Sequence, residues 1–157
     1  MKYHPIAIKL KDEPVLVVGG GKVAERKVLG LLEAGTDITV VSPRLTSKLK
    51  GLTKKGRFVW HKRVVQKNDL RGAKVIIAAT NNNVVNKNVS RWAAEFGIWA
   101  NIVDNVRLSS FISPAILRKG HSIVAVYTDG RDPKLSRDLK NFLKEHWDVF
   151  LSYRRRS

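Results

Sequence analysis

The chain has 157 residues, 43% of them hydrophobic, enough for one domain-sized unit with a real core and too apolar for a disordered polymer. It carries 30 Lys and Arg against 13 Asp and Glu, a formal charge of +17, so an acidic partner is expected, whether nucleic acid, an anionic lipid surface or a small polyanion. No cysteine is present, which removes disulfides, thiolate nucleophiles, Fe–S clusters and Cys-based zinc sites. The four histidines, His4, His61, His121 and His146, show no ligand spacing, so no metal site is expected. No apolar run reaches the roughly 18 residues of a membrane span, and the first residues lack the pattern of a secretory signal; the expected location is the cytoplasm.

Residues 14–18 (Pro-Val-Leu-Val-Val) read as a buried strand that runs into Gly19-Gly20-Gly21. From Lys22 to Ala34 the apolar period becomes helical, through Ala24, Val28, Leu31 and Leu32, and Gly35 stands where a helix ends. Residues 38–41 are a second β-branched strand closed by Ser42-Pro43, and Leu45 to Lys55 carry a lysine-rich helical pattern. Further strands are predicted at Phe58-Val59-Trp60, Lys74 to Ala79 and Ile98 to Val103, with a helix from Val84 to Phe96 before the last. Strands alternating with helices predict an α/β fold, a Rossmann-like, mostly parallel sheet with helices on both faces.

Beyond Asp104 the grammar changes. Phe111-Ile112, Ile116-Leu117 and Ser122 to Tyr127 read as extended segments with no room for crossover helices, so antiparallel pairing is expected. Residues 133–150 read as one amphipathic helix opened by Pro133, and Tyr153 to Ser157 form a basic tail. The expected division is 1–113 for the α/β domain and 114–157 for a small α+β segment. A lone hairpin and helix bury too little by themselves, which predicts pairing with a second copy as a homodimer.

Gly19-Gly20-Gly21-Lys22-Val23-Ala24 satisfies G-x-G-x-x-A between a strand and a helix. Its first glycine allows the turn, its second lets backbone approach a pyrophosphate, and Ala24 permits close helix–strand packing. The acid that ordinarily closes the second strand and binds the adenosine ribose is missing, since Ser42, Pro43 and Arg44 stand there. Ser42 suits a ribose hydroxyl and Arg44 a 2′-phosphate, which leaves NAD and NADP open, and Ser42-Pro43 can equally start the next helix. Ala79, Thr80 and Asn81 lie at the carboxyl end of the fourth strand, where cofactors bind, and an asparagine there also suits a helix N-cap. Asp104 follows the fifth strand and reads as a candidate acid/base or as a turn residue.

Six segments in fixed order carry a family resemblance: Val17 to Lys27, Leu31 to Gly35, Thr39 to Pro43, Ile77 to Asn81, Asn101 to Asp104 and Phe111 to Ala115. Together they resemble the precorrin-2 dehydrogenase/sirohydrochlorin ferrochelatase family of siroheme synthesis over nearly the whole chain. That resemblance implies NAD-dependent oxidation of precorrin-2 to sirohydrochlorin, with Asp104 at the position of the family's catalytic aspartate. It also implies cofactor contacts at the glycine turn, Lys22-Val23, Pro43-Arg44 and Thr80, and it tilts the cofactor toward NAD. The substrate so implied bears eight carboxylates, for which Lys119, His121, Arg131, Lys134 and Arg137 are candidate contacts. Thr128 adds a hydroxyl on the same side, although the serine-glycine-glycine turn of bifunctional siroheme synthases is here Thr128-Asp129-Gly130. Bifunctional members of the family also insert Fe²⁺, but the short segment after Trp147 makes chelation the weaker expectation. The rival from another class is a non-catalytic NAD-binding regulatory module. Specific nucleic-acid binding is not expected, because the cations are spread along the chain without a recognition motif.

Overall fold

A computed structural model of the chain describes residues 3–103 and 105–154. It divides into two compact units, residues 6–111 and residues 112–154 with Tyr3–Pro5.

The first unit is a five-stranded parallel sheet. Its strands are β1 (Pro14–Val18), β2 (Asp37–Val41), β3 (Val59–His61), β4 (Val75–Ala78) and β5 (Trp99–Ile102), in the order β3-β2-β1-β4-β5. Helices α1 (Lys22–Glu33), α2 (Ser47–Lys54) and α3 (Asn83–Glu95) cross between them. The continuous apolar runs follow from burial of both sheet faces. Val15 and Val17 of β1 pack with Ala24 and Val28 of α1 and Leu49 of α2, while Leu16 and Val18 pack with Val89 and Ala93 of α3. Ile38, Leu49, Leu70, Ile76 and Ile102 are among the largest fully buried side chains, each contributing about 1.5–3 kcal/mol of transfer free energy.

The register sets the geometry of one sheet edge. Val18 lies opposite Val41 and Ala78, and Ala78 opposite Ile102, so Gly19, Ser42, Ala79 and Val103 leave the sheet side by side. The open flank of β5 is covered by serines: Ala100 N–H donates to Ser110 Oγ at 2.7 Å and Ile102 N–H to Ser109 Oγ at 2.8 Å. Side-chain hydroxyls thus stand in for a sixth strand.

Two short 3-10 turns, Lys67–Leu70 and Val106–Leu108, escape a periodicity reading because neither is long enough to show a period. The first is pinned by Asp69, whose carboxylate takes both Arg63 Nη atoms at 2.6 Å and the Gln66 N–H at 2.7 Å. The Arg63 hydrogen bond holds the Asp69 carboxyl below the usual carboxylate range, helped by Gln66 and opposed by partial burial.

The second unit is a hairpin of β6 (Ala115–Lys119) and β7 (Ser122–Val126) with helix α4 (Pro133–Glu145) packed on it. Gly120, at φ 55°, supplies the left-handed backbone of the two-residue turn. Asp132 caps α4 by accepting from Leu135 N–H at 2.8 Å, and Pro133 opens it. The single helix expected over 133–150 is instead two, because α5 (Trp147–Arg154) restarts after His146. The His146 ring bonds the Phe142 carbonyl through Nδ1 at 2.9 Å and stacks on the Phe142 ring, while its backbone leaves helical values at φ −98°, ψ 13°.

Candidate active site

The three glycines after β1 answer three different demands. Gly19 has φ 113°, in the left-handed region, and a Cβ there would meet the Ala79 carbonyl oxygen at 2.4 Å. Gly20 is held by the loop after β2, since its Cβ would stand 2.0 Å from the Arg44 carbonyl oxygen and 2.7 Å from Leu45 Cδ2. Gly21 has ordinary extended backbone, φ −81° and ψ −172°, and a Cβ on it would meet nothing within 4 Å. Packing therefore demands glycine at 19 and 20, while at 21 it leaves open space.

That space lies at the N-cap of α1. Helices α2, α3 and α4 are capped by Thr46, Asn82 and Asp132, whereas Gly21 offers no side-chain cap to α1. The first-turn N–H groups, at Lys22, Val23 and Ala24, lack intrahelical acceptors and carry the positive end of the helix dipole. Ala24 is fully buried against the sheet, which brings the helix start close to β1. A pyrophosphate fits this arrangement by charge, by hydrogen bonding and by the clearance over Gly21.

On the β2 side, Ser42 is buried and its hydroxyl donates to the Arg44 carbonyl at 2.8 Å. Trp60 Nε1 donates to the Ser42 carbonyl at 2.9 Å, so the edge strand β3 fixes the same turn. Pro43 and Arg44 are exposed at the lip. The reading in which Ser42-Pro43 starts the next helix is corrected by the structure: Thr46 is the N-cap of α2, its hydroxyl accepting from Leu49 N–H at 3.3 Å.

At the end of β4, Ala79 is buried and Thr80 is clamped by Asn86 of α3. Thr80 Oγ1 donates to Asn86 Oδ1 at 2.7 Å, and Asn86 Nδ2 donates to the Thr80 carbonyl at 3.0 Å. Asn82 N–H also donates to Thr80 Oγ1, at 3.1 Å, so most of the hydroxyl's capacity is spent holding the loop. Of the three asparagines, Asn82 is the N-cap of α3, accepting from Val84 and Val85, and Asn81 is exposed beside the crevice edge. Within β5, buried Asn101 donates to the Phe111 carbonyl at 3.1 Å. Asp104 lies outside the described residues.

The candidate substrate contacts all fall on the second unit. Lys119 ends β6 beside the hairpin turn and His121 is in the turn itself, and Lys134 and Arg137 lie on α4. Arg131 is largely exposed, with its Nε 3.7 Å from Asp129, and Arg137 lies 3.3 Å from Asp138. Thr128 is engaged locally: its hydroxyl bonds the Asp132 carbonyl at 2.7 Å and Ser136 Oγ at 2.9 Å, and accepts from Asp132 N–H. Among the described residues no three His, Asp or Glu side chains gather as a metal site would require.

Sequence reasoning passed over Asn86 and Thr46. Asn86 had a visible signal, a polar residue at helical spacing with the buried Val89 and Ala93. Thr46 had the weaker signal of an N-cap residue ahead of the lysine-rich helix.

This sheet order, with an open glycine cradle at the point where the strand order reverses, defines a dinucleotide-binding domain of the Rossmann type. Residues 6–115 match the sequence family described as "Putative NAD(P)-binding". The chain is 36% identical over 135 residues to the precorrin-2 dehydrogenase of Bacillus subtilis, covering 86% of this chain and 83% of that protein. It is 42% identical over 144 residues to siroheme synthase 1 of Aeromonas salmonicida, covering 92% of this chain and 31% of that protein, so it spans about a third of such synthases. Its fold superposes on that of SirC, a precorrin-2 dehydrogenase, with a TM-score of 0.78 at 30% identity, over 92% of this chain and 71% of that one. The chain belongs to the precorrin-2 dehydrogenase family.

Proposed function

We propose that the protein oxidises precorrin-2 to sirohydrochlorin with NAD as acceptor, in siroheme biosynthesis. The observation that carries this reading is the open Gly21 cradle at the uncapped start of α1, in a chain that covers 83% of a precorrin-2 dehydrogenase. When bound, NAD supplies the hydride acceptor at its nicotinamide. The oxidation removes two electrons and one proton as hydride and releases a second proton, which requires a base. Asp104 is our candidate for that base.

The chain's own residues divide the remaining work. The first-turn N–H groups of α1 bind the pyrophosphate, Gly19 and Gly20 shape the turn, and the exposed Pro43-Arg44 lip faces the adenosine ribose. Ala79, Thr80 and Asn81 line the edge after β4, and Asn86 holds Thr80 in place. In this reading residues 1–113 bind NAD, while 114–157 provide dimerisation and the substrate side. Lys119, His121, Arg131, Lys134 and Arg137 attract the substrate carboxylates. Leu135, Leu139 and Phe142, at helical spacing and roughly half exposed, form an apolar stripe on α4 that a second copy would cover in a homodimer. No described helix is long and apolar enough to cross a membrane, and the proposed location is the cytoplasm.

The test is purified protein with enzymatically generated precorrin-2 and NAD, without metal, followed by NADH absorbance and the sirohydrochlorin spectrum. The two should rise together in the wild type, and Asp104→Ala should abolish both while NAD still binds. A wild-type protein that binds NAD yet leaves precorrin-2 untouched would overturn the enzyme in favour of a regulatory NAD-binding module.

A further inference from the structure

The glycine turn and the loop after β2 are joined by more than packing. Thr46 N–H donates to the Gly20 carbonyl at 3.0 Å, and Thr46 Oγ1 donates to Glu25 Oε2 at 2.5 Å, the short distance of a hydroxyl bound to a carboxylate. One residue thus grips both the turn and the first turn of α1, while its hydroxyl also caps α2. Glu25 is the acid in the first turn of the helix whose N-terminus is the proposed pyrophosphate site. An acid there favours the empty helix through the dipole, but it opposes an incoming anion.

We propose that Thr46 and Glu25 are a positioning pair for the dinucleotide. The Thr46 hydroxyl holds the Glu25 carboxylate on the α2 side and compensates part of its charge, so that the N-terminus of α1 presents N–H groups rather than a free carboxylate to the pyrophosphate. The same contact keeps the 42–46 loop, with its Pro43-Arg44 lip, against Gly20. This inference rests on the NAD reading above, and neither residue touches the reacting atoms.

The experiment is calorimetric titration of NAD into the wild-type chain and into Thr46→Val, Thr46→Ser, Glu25→Gln and the double variant Thr46→Val/Glu25→Gln, at low and high salt, with thermal melts to show that each is folded. Thr46→Val keeps the branched shape and loses the hydroxyl, and should weaken NAD about tenfold, the scale of one hydrogen bond to a charged group. Thr46→Ser should restore wild-type affinity. Glu25→Gln keeps an acceptor oxygen without the charge and should tighten NAD by roughly two- to threefold, a fraction of what one unit charge exerts through partly exposed surface. In the double variant most of the Thr46→Val loss should be recovered, and the loss should shrink at high salt because the freed charge is screened. A Thr46→Val protein that binds NAD like the wild type would overturn the pair, as would a double variant no better than Thr46→Val, which would reduce Thr46 to a helix cap. A wild-type chain that binds no NAD would instead overturn the cofactor reading and the pair with it.

Discussion

Gly20 and Gly21 are adjacent in sequence, and alanine should separate their roles cleanly. At Gly20 the new methyl carbon would start 2.0 Å from the Arg44 carbonyl oxygen, 2.7 Å from Leu45 Cδ2 and 3.0 Å from Ser42 Oγ. The carbonyl cannot rotate away alone, because Ser42 Oγ donates to it and Thr46 N–H ties the same loop to Gly20. The loop must move as a body, which puts the cost near the top of the overpacking range, about 3 kcal/mol. For a chain of this size that lowers the melting temperature by roughly 6–12 °C. At Gly21 the backbone is unstrained and the space open, so two small effects oppose each other: alanine stiffens the unfolded chain by about 0.4–1 kcal/mol and is a poorer N-cap than glycine by a similar amount. Gly21→Ala should therefore melt within a few degrees of the wild type, yet bind NAD at least ~10-fold more weakly, because the methyl occupies the approach to the pyrophosphate. Thermal melts and calorimetric titration of the two variants decide the matter. A Gly21→Ala protein with wild-type NAD affinity would refute the cradle, and a Gly20→Ala protein as stable as the wild type would refute the contact between turn and loop.

Asn86→Leu, close to asparagine in length, removes both bonds to Thr80 and leaves its carbonyl without that donor; urea denaturation should show a loss of about 1–3 kcal/mol, and KM for NAD should rise more than kcat falls. The Asp69 carboxyl titrates below the ordinary carboxylate range in the folded chain, so its contribution is fully present above that range and is lost as pH falls through the folded value. The urea midpoint should accordingly drop on acidification, and Asp69→Asn should show a flatter acid limb. Phe142→Asp places a charge in the exposed stripe of α4 and should turn a dimer into a monomer in sedimentation equilibrium; a persisting dimer would move the interface elsewhere.

The parts of the fold visible in the sequence are those with a period. Strands β1 and β4 are legible as apolar runs because both of their faces are buried, β2 by its β-branched residues Ile38 to Val41, and α1 by its three- and four-residue spacing. The break at His146 was not legible, since a histidine is compatible with a helix interior and its bond to the Phe142 carbonyl is local geometry. The glycine motif was readable as a motif, but the sequence does not distinguish glycines excluded from carrying a side chain by neighbours from one that faces open space. That distinction depends on Arg44 and Ala79, which come from distant parts of the chain. Asn86 and Thr46 were missed for the same reason: each acts on a loop through a contact made only after folding.

The missing acid after β2 follows a wider electrostatic pattern. Residues 44–63 contain eight cations, Arg44, Lys48, Lys50, Lys54, Lys55, Arg57, Lys62 and Arg63, and no acid. Asp69 neutralises Arg63, and Lys54, Lys55 and Arg57 lie toward the other end of the sheet, between the end of α2 and the start of β3, but Arg44 and Lys62, just past the carboxyl ends of β2 and β3, leave the β2 side of the crevice with a positive lip. Many dinucleotide folds use an acid here to bond the ribose, which also repels a 2′-phosphate. In this chain Ser42 takes that position, and its hydroxyl is already committed to the Arg44 carbonyl. The lip therefore attracts every anionic group that reaches it, the proposed polycarboxylate substrate as well as the cofactor. Discrimination against a competitor requires an element that disfavours it, and charge supplies none on this side. A preference for NAD over its 2′-phosphorylated relative would then have to be steric, imposed by the rigid turn that Gly20, Ser42, Trp60 and Thr46 hold in place.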